Sequence, residues 1–125
     1  LDPSLPTQGR ATASVPGVPL ILTPVAHARR AVLLMSGDGG WAAFDRGLAR
    51  ALAGDGLAVI GWDALAYFWQ PRTPAGMALD LARVLEEFRA RWHLERLVLA
   101  GFSFGANTLP FAVNRLPSTM RDLVE

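Results

Sequence analysis

The chain contains no cysteine and no lysine: all twelve of its basic residues are arginine. Without thiols, disulfides, thiolate metal sites and cysteine nucleophiles are excluded. Without lysine, the chain cannot supply the lysine of a Walker A phosphate loop, of a Ser-Lys dyad or of a Schiff base. Histidine is nearly absent too, represented by His27 and His93 alone. No apolar run approaches the roughly 18 residues of a membrane span. Twelve basic residues stand against eleven acidic ones with no basic block among them, so nucleic acid is not an expected partner. The chain opens on Leu1 rather than Met, as expected of a processed or excised product.

What is present is an apolar chain of 125 residues, 51% hydrophobic, enough to build the core of one domain or part of one. Residues 1–17 hold Pro3, Pro6 and Pro16 among small polar residues, a composition that predicts an extended linker or tail. The domain proper is expected over 18–125. Val18 to Val25 is a short apolar run flanked by Pro19 and Pro24, at best an edge strand. From there short apolar runs alternate with longer segments of helical period, the signature of a parallel sheet flanked by helices, an α/β fold.

The expected strands are 31–35, 58–62 and 97–100. The first helix between them should turn Phe44, Leu48, Ala51 and Leu52 inward, with Asp45, Arg46 and Arg50 outward. In the second, Thr73 is the expected N-cap and Pro74 the first helical residue, followed by Met77, Leu81, Val84, Leu85, Phe88 and Trp92 at helical spacing. Glu87 and Arg91 should pair on its outer face. A third helix should start after Ser103 and run to about Arg115, before Pro117. Three parallel strands alone would leave an edge uncovered, which predicts an incomplete fold whose C-terminal strands and helices lie outside this chain.

The strongest chemical signal is Gly101-Phe102-Ser103-Phe104-Gly105, a G-x-S-x-G pattern between an expected strand and an expected helix. In a nucleophile elbow the serine adopts a strained backbone conformation. Small residues two before and two after it let strand and helix approach each other. Its hydroxyl is then exposed at the helix N-terminus, where the Phe104 N–H can stabilise an oxyanion. The plainer alternative is a serine that merely caps the helix.

A second signal is the glycine-rich turn Ser36-Gly37-Asp38-Gly39-Gly40-Trp41 after the first core strand. A second oxyanion donor is expected there, the N–H of Asp38 or of Gly39. A phosphate-cradling loop competes with that reading, but the lysine it needs is absent. A third feature, Asp63 followed by Tyr67-Phe68-Trp69, follows the second strand. The aromatic residues could wall a substrate pocket and Asp63 could bind a positive group, or the cluster could pack over the sheet. No metal site and no cofactor are expected.

The other half of a catalytic triad is harder to find. In α/β-hydrolases the order is serine, acid, histidine. Asp122 and Glu125 follow Ser103, but no histidine does. His27 belongs to a turn and His93 to a helix end, and neither is expected to reach Ser103.

Over 34–117 the sequence resembles the bacterial virulence protein family typified by VirJ and the VirJ-like domain of AcvB. The resemblance rests on Ser36 to Trp41, on Tyr67 to Trp69 with Thr73-Pro74, on Gly101 to Gly105, and on Leu109 to Ala112 followed by Asn114 to Pro117. It implies a periplasmic α/β-hydrolase with Ser103 as nucleophile, acting on aminoacylated phospholipid, chiefly lysyl-phosphatidylglycerol. It further implies a role in the cell envelope and, in some members, in type IV secretion and virulence. The family's acid and histidine would then follow Glu125, and this chain alone would be inactive. Other readings are a non-catalytic module that binds lipid or an envelope partner, with peripheral contact to the membrane, and a fragment that pairs with another chain by strand exchange.

Overall fold

Aliphatic and β-branched runs form the centre of the sheet, where both faces are covered. The computed structural model describes residues 9–10 and 15–124. Along the chain come β1 (Gly9–Arg10), β2 (Leu20–Thr23), β3 (Arg30–Met35), α1 (Ala43–Gly54), β4 (Ala58–Trp62), α2 (Ala64–Tyr67), α3 (Pro74–Trp92), β5 (Arg96–Gly101), α4 (Phe104–Val113) and α5 (Ser118–Arg121). The sheet order is β1-β2-β4-β3-β5. β3 lies between β4 and β5 and is parallel to both, while β2 is antiparallel to β4 and to β1. The three parallel strands are those expected, within one residue at each end. All five residues of β4 are buried, as its central position requires.

Successive residues of β3 and β4 point to opposite faces, and each face has its own core. Ala31, Leu33, Met35, Ala58, Ile60 and Trp62 join α3 and α4 in the larger cluster. Val32, Leu34 and Val59 join Ala49 of α1, with Leu48 and Leu52 packed alongside. The helix α3 forms as its sequence predicts. The Thr73 hydroxyl accepts the Gly76 N–H at 2.9 Å, and Met77, Leu81, Val84, Leu85 and Phe88 are all buried, each contributing about 2 kcal/mol. Arg91 and Glu87 pair at 2.6 Å on its outer face, and exposed pairs of this kind contribute little.

Several expectations give way to tertiary contacts. The sheet is mixed and five-stranded rather than purely parallel. β2 is not an edge strand, because Pro19 and Pro24 bracket it without removing any of its own N–H groups, and Gly9–Arg10 pair along its outer side. Part of the predicted tail is thus sheet, and Val15 is buried in the core. Residues 1–8 and 11–14 of that tail lie outside the described residues.

The buried face of α1 is Asp45, Ala49 and Ala53 rather than Phe44 and Ala51. Alanines allow the helix close to the sheet, and Asp45 turns in to accept the Ala42 N–H at 3.0 Å. The short helices α2 and α5 lie in segments where the sequence predicts none. Beyond β5, Val124 forms a parallel bridge with Leu97, and the Leu97 N–H donates to Leu123 at 3.0 Å. From Val98 to Gly101 the strand is half-buried.

Candidate active site

The turn from β5 into α4 is where backbone strain and close packing coincide. Ser103 has φ 53° and ψ −111°, a conformation that costs a side-chain-bearing residue about 1–3 kcal/mol. The flanking glycines permit it. A Cβ on Gly101 would lie 2.6 Å from the Ala106 nitrogen, and one on Gly105 would lie 2.6 Å from the carbonyl oxygens of Met35 and Ser36. The Phe102 N–H donates to Met35 and the Gly105 N–H to Phe102, both at 3.0 Å, so the elbow is tied to β3 and closed on itself. The Ser103 side chain makes no capping hydrogen bond and is exposed. The helix-capping alternative is therefore ruled out.

The glycine-rich turn comes up beside it. Gly37 is buried, and a Cβ there would sit 3.6 Å from the Ser103 Cβ. The Gly40 N–H closes the turn on the Gly37 carbonyl at 3.1 Å, with Gly40 at φ +81°. Asp38 and Gly39 are exposed at its tip. Among the described residues none of the Asp38, Gly39 and Phe104 N–H groups has an acceptor, so the turn offers either of its two candidate donors. Backbone donors without partners at adjoining turns are an arrangement that can stabilise an oxyanion.

The aromatic cluster after β4 does not form one wall. Tyr67 is fully buried, because its hydroxyl donates to Asp80 at 2.6 Å and its ring lies 4.0 Å beneath the Arg72 guanidinium. Burial first, and then the hydrogen bond to Asp80, hold the phenol pKa well above its ordinary value. Tyr67 is therefore a core residue and not a pocket wall. Trp69 is 80% exposed and lines a separate groove with Pro19, Ala66 and Gln70. Phe68 alone faces the elbow, meeting Phe104 edge-on at 5.3 Å. Asp63 caps α2 by accepting the Ala66 N–H at 3.0 Å, and its Oδ1 lies 3.2 Å from where a Gly40 Cβ would be.

At the elbow stands a ring pair that periodicity missed. Phe44 and Phe102 stack at 4.7 Å and stay 56% and 46% exposed. A helical wheel turned Phe44 toward the sheet, while only the fold brings the start of α1 to the elbow.

The histidines lie elsewhere. His27 and His93 line one groove with Arg29, Arg91 and Trp92, near the ends where β3 and β5 begin. A six-residue strand such as β5 spans about 20 Å, which separates that groove from Ser103. Asp122 is also at the far end, its carbonyl accepting from Arg96 at 2.7 Å. Glu125 lies outside the described residues. Among the described residues, no cluster of His, Asp or Glu could hold a metal ion.

Residues 29–125 match the family model described as bacterial virulence protein (VirJ). The chain belongs to that family. No match was found among individually curated protein sequences. Similar solved structures include an α/β-hydrolase fold protein of unknown function, with a TM-score of 0.66 and 16% identity over 99% of this chain and 43% of the other. TT1662 from Thermus thermophilus gives 0.61 and 24% over 86% and 51%. XC6422 from Xanthomonas campestris, a member of the α/β serine hydrolases without lid, gives 0.56 and 24% over 93% and 59%. The VirJ family chain thus has the α/β-hydrolase fold, and it spans about half the length of those structures.

Proposed function

We propose that this VirJ family chain carries the nucleophile of a serine hydrolase that cleaves an ester. The observation that carries the reading is the strained Ser103, with its hydroxyl uncommitted, beside the unpartnered N–H groups of Asp38 and Phe104. Ser103 Oγ attacks the ester carbonyl and its proton passes to a general base supplied from outside these 125 residues. The two N–H groups hold the tetrahedral oxyanion. The intermediate collapses to an acyl-enzyme as the alcohol leaves with that proton, and water then releases the acid and restores the serine.

The family resemblance supports an aminoacyl-phospholipid, lysyl-phosphatidylglycerol, as the ester and the periplasm as the place. Exposed Phe44 and Phe102 and half-buried Phe68, which meet the elbow through Phe102 and Phe104, suit a substrate with an apolar portion and peripheral contact with a lipid surface. The test is hydrolysis of lysyl-phosphatidylglycerol in vesicles by the full-length protein and its Ser103→Ala variant, alongside fluorophosphonate labelling of Ser103. Turnover and labelling should both vanish in the variant. Binding of the lipid without turnover in the wild type would favour a binding module instead.

A further inference from the structure

Deepening the hydrolase reading, on which it rests, we infer that Ser36 is a positioning residue: its buried hydroxyl fixes the peptide between Gly37 and Asp38 so that the Asp38 N–H, and not that of Gly39, is the second oxyanion donor. Ser36 follows β3 directly and is fully buried. Its Oγ accepts the Ala64 N–H at 2.8 Å and donates to the Gly37 carbonyl at 3.1 Å. A serine hydroxyl has one proton. Because the Ala64 N–H already points at the oxygen, that proton is committed to Gly37.

The Gly37 carbonyl also accepts the Gly40 N–H at 3.1 Å, so two donors hold it inward. In a planar trans peptide the C=O of one residue and the N–H of the next point in opposite directions. With the Gly37 carbonyl held toward Ser36 and Gly40, the Asp38 N–H is turned the other way, out of the turn. Gly37 itself lies against Phe102 and Ser103, which sets this peptide beside the nucleophile. Rotating it would aim a carbonyl oxygen at the developing negative charge. The bond to Ala64 adds a second restraint, since it fastens the turn to the start of α2, the helix capped by Asp63. Donors held in place before reaction need no reorganisation when charge develops.

Two measurements on the full-length protein test this. In wild type, phosphonylation of Ser103 by a fluorophosphonate places an oxyanion equivalent in the site. The amide protons of Asp38 and Phe104 should then shift downfield in the NMR spectrum while that of Gly39 stays. In kinetics, Ser36→Ala should lower kcat about 10- to 100-fold with KM changed less than about twofold, because a misaligned donor weakens transition-state binding alone. Ser36→Thr, which keeps the hydroxyl, should recover most of kcat. A downfield shift of Gly39 in place of Asp38, or a Ser36→Ala enzyme with wild-type kcat, overturns the positioning role and leaves the hydrolase reading intact. The NMR arm decides even where Ser36→Ala does not fold. If wild-type Ser103 forms no adduct, the hydrolase reading falls and this inference falls with it.

Discussion

His27, His93 and Ser103 share a backbone φ between 52° and 61°, yet they lie at opposite ends of the parallel strands. At the end where β3 and β5 begin, His93 closes α3 with φ 52° and ψ 46°. That is the left-handed helix stop most often taken by glycine, where a side-chain-bearing residue pays a steric cost of about 1 kcal/mol. At the end where the strands finish, Ser103 has nearly the same φ but ψ −111°, outside that well. Its neighbours Gly101 and Gly105 have no room for a Cβ. A positive φ alone therefore marks a turn. Positive φ outside that well, held by packed glycines beside unpartnered N–H groups, is backbone strain fixed by its surroundings, and it is the ground on which Ser103 is proposed as a nucleophile.

The largest effect that would break this contrast is catalytic. Ser103→Ala in the full-length protein should reduce kcat/KM for ester hydrolysis by about a thousandfold or more, whereas His93→Ala should leave it near wild type. Next comes packing: Gly105→Ala should destabilise the fold by about 3 kcal/mol or more in urea unfolding, because the new methyl meets two carbonyl oxygens. By comparison, Gly39→Ala, where a Cβ meets nothing within 4 Å, should change stability by less than about 0.5 kcal/mol.

The support beneath the site should appear in alkali. Tyr67 is the chain's only tyrosine, and lysine and cysteine are absent, so Tyr67 alone represents the side-chain types whose ordinary values lie between about pH 8 and 12. Its folded pKa is raised, so its contribution is fully present below the unfolded value of about 10. Above that pH the unfolded chain releases the proton and the folded one keeps it. Stability should then fall by about 1.4 kcal/mol per pH unit until the folded pKa is passed. Denaturation midpoints at pH 8 and pH 11 check this, and Tyr67→Phe should abolish the slope. A small effect is expected at the other end of the sheet: His93→Gly should stabilise the fold by about 0.5–1 kcal/mol by relieving its left-handed conformation, with activity unchanged.

Local chemistry written into neighbouring residues was readable from the sequence. The strands 31–35 and 58–62, the cap at Thr73 and the buried stripe of α3 rest on period and propensity, which act within one element. The elbow was readable for the same reason, since Gly101, Ser103 and Gly105 are close in the chain and their spacing carries the geometry. The remainder depends on which surfaces meet. Phe44 has no local reason to leave the buried face of α1, and it does so because Phe102 is presented to it. Gly9–Arg10 join the sheet because β2 offers them an open side.

Within the candidate site the same division holds. Sequence alone fixes that a serine follows a strand, that glycines bracket it, and that a second glycine-rich turn ends the first core strand. That the glycine-rich turn and the elbow stand side by side, though far apart in sequence, follows from the parallel register of β3 with β5. Ser36 belongs to this second class. The role proposed for it rests on a hydrogen bond to Ala64, 28 residues away, and no pattern of period or spacing records a contact that exists only once β3 and β4 are paired.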